Sequence, residues 1–138
     1  MRDLANNIAI RTVISPAANA DLGTTPLVGT VIDSLGFESL VYAISIGTLS
    51  DADATYAVLL EESDTSGSGY TAVADSHMVG TEAEAGFTFA DDGETWKLGY
   101  IGNKRHTRLT ITPTGANSGN SPISAVAILG HPHEAPVA

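Results

Sequence analysis

Asp33 to Glu62 reads DSLGFESLVYAISIGTLSDADATYAVLLEE, and the rest of the chain can be placed around this stretch. From Leu40 to Ile46 the larger residues Leu40, Tyr42, Ile44 and Ile46 fall at every second position. Val41, Ala43 and Ser45 lie between them. Successive side chains of a strand point to opposite faces, so period two predicts a strand with one face in a core. Tyr56, Val58 and Leu60 repeat the pattern, with Ala57, Leu59 and Glu61 on the other side. Leu49 to Asp53 joins the two, and Asp51 and Asp53 favour a turn by accepting bonds from nearby amides. The expectation is an antiparallel hairpin. Its second face is small and apolar as well, which predicts partial cover, as by a neighbouring subunit.

Working outward, Ile8 to Ile14 alternates well enough for a strand. Ser15 to Thr25, SPAANADLGTT, reads as an arm or loop. Pro26 to Ile32 is a short strand with its proline at the start, where a missing amide does least harm. After the glycine-serine loop that follows Glu62, Tyr70 to Asp75 and Gly86 to Ala90 are short strands, and His77 to Ala85 is weak and acidic. Glu94 to Ile101 puts Trp96, Leu98 and Tyr100 on one face, a core centre. Arg105 to Thr112 turns Leu109 and Ile111 inward and Arg108, Thr110 and Thr112 outward. Pro113 to Pro122 is a loop, Ile123 to Leu129 a small-residue strand, and Gly130 to Ala138 a proline-bearing tail that cannot join a sheet regularly. Eight or nine short strands at this spacing predict an all-β, single-domain antiparallel sandwich or barrel. No segment holds helical periodicity over three turns, and no repeat of fixed period occurs. Residues 1–25 are assigned to an N-terminal strand and flexible arm, 26–130 to the core and 131–138 to a tail.

The 138 residues suit one domain with a real core and contain no cysteine, which excludes disulfides and thiolate metal sites. No apolar run is long enough for a transmembrane helix, and the first residues lack the pattern of a signal peptide. The expectation is a soluble protein kept in the cytoplasm or released by lysis. A net charge of −10 argues against nucleic-acid binding, which needs cations to neutralise phosphates. The charge is uneven: fourteen of sixteen carboxylates lie between Thr12 and Trp96, where there is no Lys or Arg. Lys97, Lys104, Arg105 and Arg108 cluster within a dozen positions, either a solvated strand edge or a contact for an acidic partner.

The residues give no positive sign of an enzyme. His131 and His133 flank Pro132 at a spacing that suits two imidazoles on one metal, but a polar tail explains them as well. His106 reads as an exposed strand residue. The carboxylates at Asp51 and Asp53, at Glu61, Glu62 and Asp64, and at Asp91 and Asp92 could bind calcium through oxygen ligands but lack the spacing of a calcium loop. Ser66 to Gly69 lacks the glycine two before the serine that a nucleophile elbow needs. No phosphate-binding glycine motif is present.

Several short motifs recur in a familiar order. Gly36-Phe37-Glu38-Ser39-Leu40 leads into a strand ending Ile46-Gly47-Thr48, followed by Leu59-Leu60-Glu61-Glu62-Ser63-Asp64. Near the end stand Gly99-Tyr100-Ile101-Gly102, Arg105 to Thr112, and Ala125 to Pro132. Together they resemble small structural proteins of tailed bacteriophages and gene-transfer particles: head decoration (cement) or head-spike base proteins. The resemblance spans about Thr30 to Pro132. It implies a jelly-roll β-sandwich that self-associates, often as a trimer, and docks on the major capsid protein at the outer surface of the head. It implies no cofactor, catalytic residue, membrane or nucleic-acid partner. Candidate contacts, from charge placement, are Arg2, Ile8 and Arg11 in the N-terminal arm and Lys104, Arg105 and Arg108 on the basic edge. Two other readings stand beside it. A carbohydrate-binding sandwich would need exposed aromatics, and Tyr70 is the one candidate. A neck or tail component of the virion is compatible with the same composition.

Overall fold

The computed structural model describes residues 2–16 and 21–137. Among the described residues eleven strands form two antiparallel sheets: β1 (Ile8–Ile14), β2 (Leu27–Val28), β3 (Ile32–Asp33), β4 (Phe37–Ile46), β5 (Thr55–Ser63), β6 (Thr71–Ala72), β7 (Met78–Val79), β8 (Phe87–Thr88), β9 (Thr95–Tyr100), β10 (His106–Thr114) and β11 (Ile123–Pro132). The first sheet runs β1-β11-β4-β9-β7 and the second β2-β10-β5-β6, with β3 also on β10 and β8 also on β5. The order is that of a hairpin folded over on itself: β1 pairs β11, β2 and β3 pair β10, β4 pairs β9, and β5 pairs β6 and β8. This is the jelly-roll arrangement, two Greek keys closed over one core. Counted as positions in that scheme, the short strands β2 with β3 and β6 with β8 share places, which reconciles eleven segments with the eight or nine expected.

The alternating faces are as the sequence predicts. Tyr42, Ile44, Leu60, Leu98, Leu109 and Ile111 are fully buried between the sheets. Removing each from water stabilises the fold by roughly 2 kcal/mol. Tyr42 Oη and Thr107 Oγ1 meet at 2.6 Å inside this core, so neither hydroxyl is stranded.

The central hairpin is not there. β4 and β5 lie in different sheets, and the segment between them is an arch from one to the other. Leu49 and Ala54 are buried within it. The Gly47 amide donates to Pro122 O, the Leu49 amide to Asp92 Oδ1 and the Ser50 amide to Asn120 O. Bonds to two other loops and two buried side chains hold an arch where a tight turn would leave both unused.

Four further expectations change. The sandwich extends from β1 through Pro132, so both the first strand and the start of the tail belong to it; Pro132 pairs with Phe37 at the strand's end. His133 N donates to Gly36 O and Val137 N to Asn6 O, which ties the tail down. Pro113 sits inside β10 opposite Tyr56. The weak acidic stretch holds a one-turn helix, α1 (Glu82–Ala85), whose Thr81 and Glu84 form a reciprocal capping box. Residues 17–20 of the arm lie outside the described residues.

Gly29 closes the side of the sandwich. Its amide donates to Leu109 O in the second sheet, and Thr30 N donates to Val13 O in the first. A Cβ at Gly29 would stand 2.6 Å from both Leu109 O and a Val13 methyl, so only glycine lets the two backbones come this close.

Candidate interaction surfaces

All four histidines gather at one end of the sandwich, where β3 passes into β4, β5 ends, β9 turns into β10 and β11 ends. The candidate basic edge is here as well, and its charges are already matched. Arg105 Nε and Nη2 donate to the two oxygens of Asp33 at 2.8 and 2.6 Å. Lys104 Nζ meets Asp64 at 2.5 Å. Arg108 donates to Glu61 through Nε and Nη2, and its guanidinium lies 4.3 Å from the centre of the Tyr70 ring. Lys104, Arg105 and Arg108 therefore satisfy carboxylates of their own chain, and Tyr70 is capped by a cation. The Arg105 hydrogen bonds hold the Asp33 carboxyl down to about 2 against opposing desolvation, and the Leu35 amide adds to them.

Beneath these pairs lies a buried one. Tyr100 Oη donates to Glu62 Oε2 at 2.5 Å and accepts from Lys104 N at 2.9 Å. Burial, then the bond to Glu62, pushes the Tyr100 phenol well above its ordinary value. His77 Nδ1 stands 3.8 Å from the other oxygen of Glu62. His106, expected at the surface, is buried with its Nε2 3.9 Å from Asp33. His131 Nδ1 meets Ser39 Oγ at 2.9 Å, while His133 bonds Glu38. The two tail imidazoles thus engage different partners, and among the described residues no three donors converge on a metal position.

The N-terminal candidates stand apart from this end-on cluster. Arg2 and Arg11 are exposed and, among the described residues, form no ion pair; Lys97 on β9 is the third such cation. Ile8 is half-buried beside the exposed Leu4, and the two line a hollow of about 380 Å³ with Leu40, Val41 and Ile128.

Sequence reasoning expected cover on the second face of β4 through Val41 and Ala43, but not that this apolar face continues across the whole first sheet. Ile10, Ile128, Val41, Gly99 and Val79 are successive partners across all five strands, and all point away from the core. The signal was present: in β1 the alternation Ile8, Ile10 continues the apolar pattern, yet Ala9 and Val13 are the buried set and Ile10 is 58% exposed. No helix of the described residues is long and apolar enough to cross a membrane.

No family model and no curated protein matches the chain. Among solved structures it is similar to the PBSX exported protein XepA, with a TM-score of 0.56 and 18% identity over 94% of this chain. The match spans 39% of the XepA chain. A structure of infectious bursal disease virus, Gx strain, aligns at a TM-score of 0.45 and 14% identity, covering 98% of this chain and 37% of that one. At such identities the first likeness is one of fold alone, and the second is too loose to bear on it.

Proposed function

We propose that this chain is a structural virion component, a decoration (cement) or spike-base protein that binds the outer surface of an assembled phage head. The observation that carries the reading is the closed jelly roll built from the motifs that resemble those proteins. The fold shared with a PBSX exported protein supports it. The major capsid protein is the proposed partner, and the chain also associates with itself. A protein that binds only the assembled lattice stabilises that state by mass action and needs no catalytic step. The proposal assigns it no membrane or nucleic-acid partner and no cofactor.

The ion pairs refine where the head contact lies. Lys104, Arg105 and Arg108 would each abandon a carboxylate to reach a partner. Among the described residues Arg2 and Arg11 have no carboxylate to give up, so the N-terminal edge with Leu4 is the proposed contact, and Arg105 and Arg108 act within the fold. The test is co-sedimentation with expanded heads that lack the protein. Saturable binding, weakened by Arg2→Glu with Arg11→Glu and by raised salt, is the expected result. A folded protein that leaves such heads unbound would overturn the reading in favour of a neck or tail component.

A further inference from the structure

We infer that the outer face of the five-stranded sheet is a contact for a second copy of this chain. The argument begins with charge. The chain carries a net −10, yet no outward position of β1, β11, β4, β9 or β7 holds a carboxylate, and Lys97 is the one charged side chain among them. The outer face of the second sheet differs: it carries the Glu61–Arg108 pair and the threonines Thr110, Thr112 and Thr114.

Shape is the second observation. The row Ile10–Ile128–Val41–Gly99–Val79 runs across the strands as a band, with Ile10 58% and Val79 60% exposed at its two ends. A hollow lies on each side: the one of about 380 Å³ beside Leu4 and Ile8, and a groove of about 740 Å³ along Ala43, Trp96 and α1. Val41 and Ile128 line both. A band between two hollows can be matched by the same surface turned about a twofold axis, band into hollow, which is how isologous contacts close. The 35 residues of β1, β11, β4, β9 and β7, at about 3.3 Å rise and about 4.8 Å strand spacing, make a face of roughly 550 Å². Two such faces come to about 1,100 Å² in total, just under the lower edge of standard interfaces. The association is therefore reversible and concentration-dependent. It commits to a pair rather than to the trimer that the resemblance implies, and it meets the proposed head contact at Leu4, on the rim of one hollow.

Because the copies repel as wholes and meet on a face where Lys97 and Glu84, both lining the groove, offset each other, salt acts in the unusual direction. Screening weakens the repulsion and leaves the apolar contact. The test is sedimentation velocity of the full chain between about 1 and 200 µM, at low and at high salt. The expected result is a monomer–dimer equilibrium that tightens with salt. Val79→Glu, at an exposed edge position, should weaken the dimer at least tenfold, and Val41→Glu more. Arg2→Glu with Arg11→Glu should leave the dimer intact, which separates this contact from the head contact. A monomer throughout the range would overturn the inference. So would a dimer weakened by salt, or one indifferent to Val79→Glu in protein whose circular dichroism is unchanged.

Discussion

The two ends of the sandwich use the same residue types in opposite ways. At one end the arch after β4, the turn before β9 and the loop before β11 hold their carboxylates with backbone amides. Asp51 accepts from the amides of Asp53, Asn117 and Ser118, Asp92 from Leu49, and Asp91 from Thr88. At the other end carboxylates are held by cations and a phenol: Asp33 by Arg105, Asp64 by Lys104, Glu61 by Arg108 and Glu62 by Tyr100. A carboxylate bonded to amides orders a loop and keeps its negative charge toward solvent. A carboxylate paired with a cation ties strands together and presents little net charge. The protein is thus negative at one end and internally balanced at the other, a polarity that charge counts along the chain do not reveal.

The sharpest break of this comparison is Tyr100→Phe. Glu62 is nearly buried and would lose its closest donor, so a loss of about 2 kcal/mol is expected in chemical denaturation. The same bond has a pH signature. A phenol whose folded value is raised is stabilising below its ordinary value near 10 and loses that contribution as the pH climbs above it. Wild type should therefore weaken from about pH 10 upward, and Tyr100→Phe should flatten that limb. A phenylalanine variant as stable as wild type would mean that Glu62 is served by His77 or water instead.

Next in size is Arg108→Ala, expected to cost about 1 kcal/mol through the doubly bonded Glu61 and the Tyr70 stack. Part of that cost should vanish at high salt, because the pair is partly exposed. A smaller effect is expected at Asp33. Its folded value of about 2 lies below the ordinary one, so its contribution is present above about pH 4 and is lost as pH falls towards 2. In Arg105→Gln, carboxyl NMR titration should show Asp33 returning towards about 4. A value still near 2 would assign the shift to the Leu35 amide. The mildest test sits at the amide-bound end. Both Asp51 oxygens accept from amides, so Asp51→Asn keeps one acceptor and turns an NH2 against the other donors; it should cost less than Asp51→Ala, which should speed hydrogen exchange at Asn117 and Ser118. High salt should leave these exchange rates as they are; acceleration by salt would erase the distinction between the ends.

What the sequence made legible was which side of the long strands β4, β5 and β9, and of the middle of β10, faces the core; in β1 the isoleucine alternation pointed to the wrong side. Tyr42, Leu60, Leu98 and Ile111 follow from period two alone, because burial acts on single side chains at fixed spacing. Strand partnership was not legible. Nothing in Leu49 to Asp53 distinguishes a turn within one sheet from an arch between two, since the arch is held by Asp92, Asn120 and Pro122, all distant in the chain. The capping residues Thr81 and Glu84 did signal α1, but one turn is too short to show a helical period. The basic edge was legible as a cluster and misleading as a surface. Its carboxylate partners lie 40 to 72 residues away along the chain, brought together by the β3–β10 and β5–β10 ladders.

The pairing of β1 with β11 has a consequence for how the chain acquires its shape. Ile8 is matched with Gly130, and among the described residues β11 is the one strand that pairs with β1. During synthesis the first strand must wait, unpaired, for more than a hundred residues to follow it. At about 5–20 residues per second that is a delay of several seconds. Pairings this far apart in the chain also fold slowly once the chain is complete. The isoleucines of β1 are then an adhesive edge with no home, and the molecule is most exposed to misassembly just before its last strand arrives.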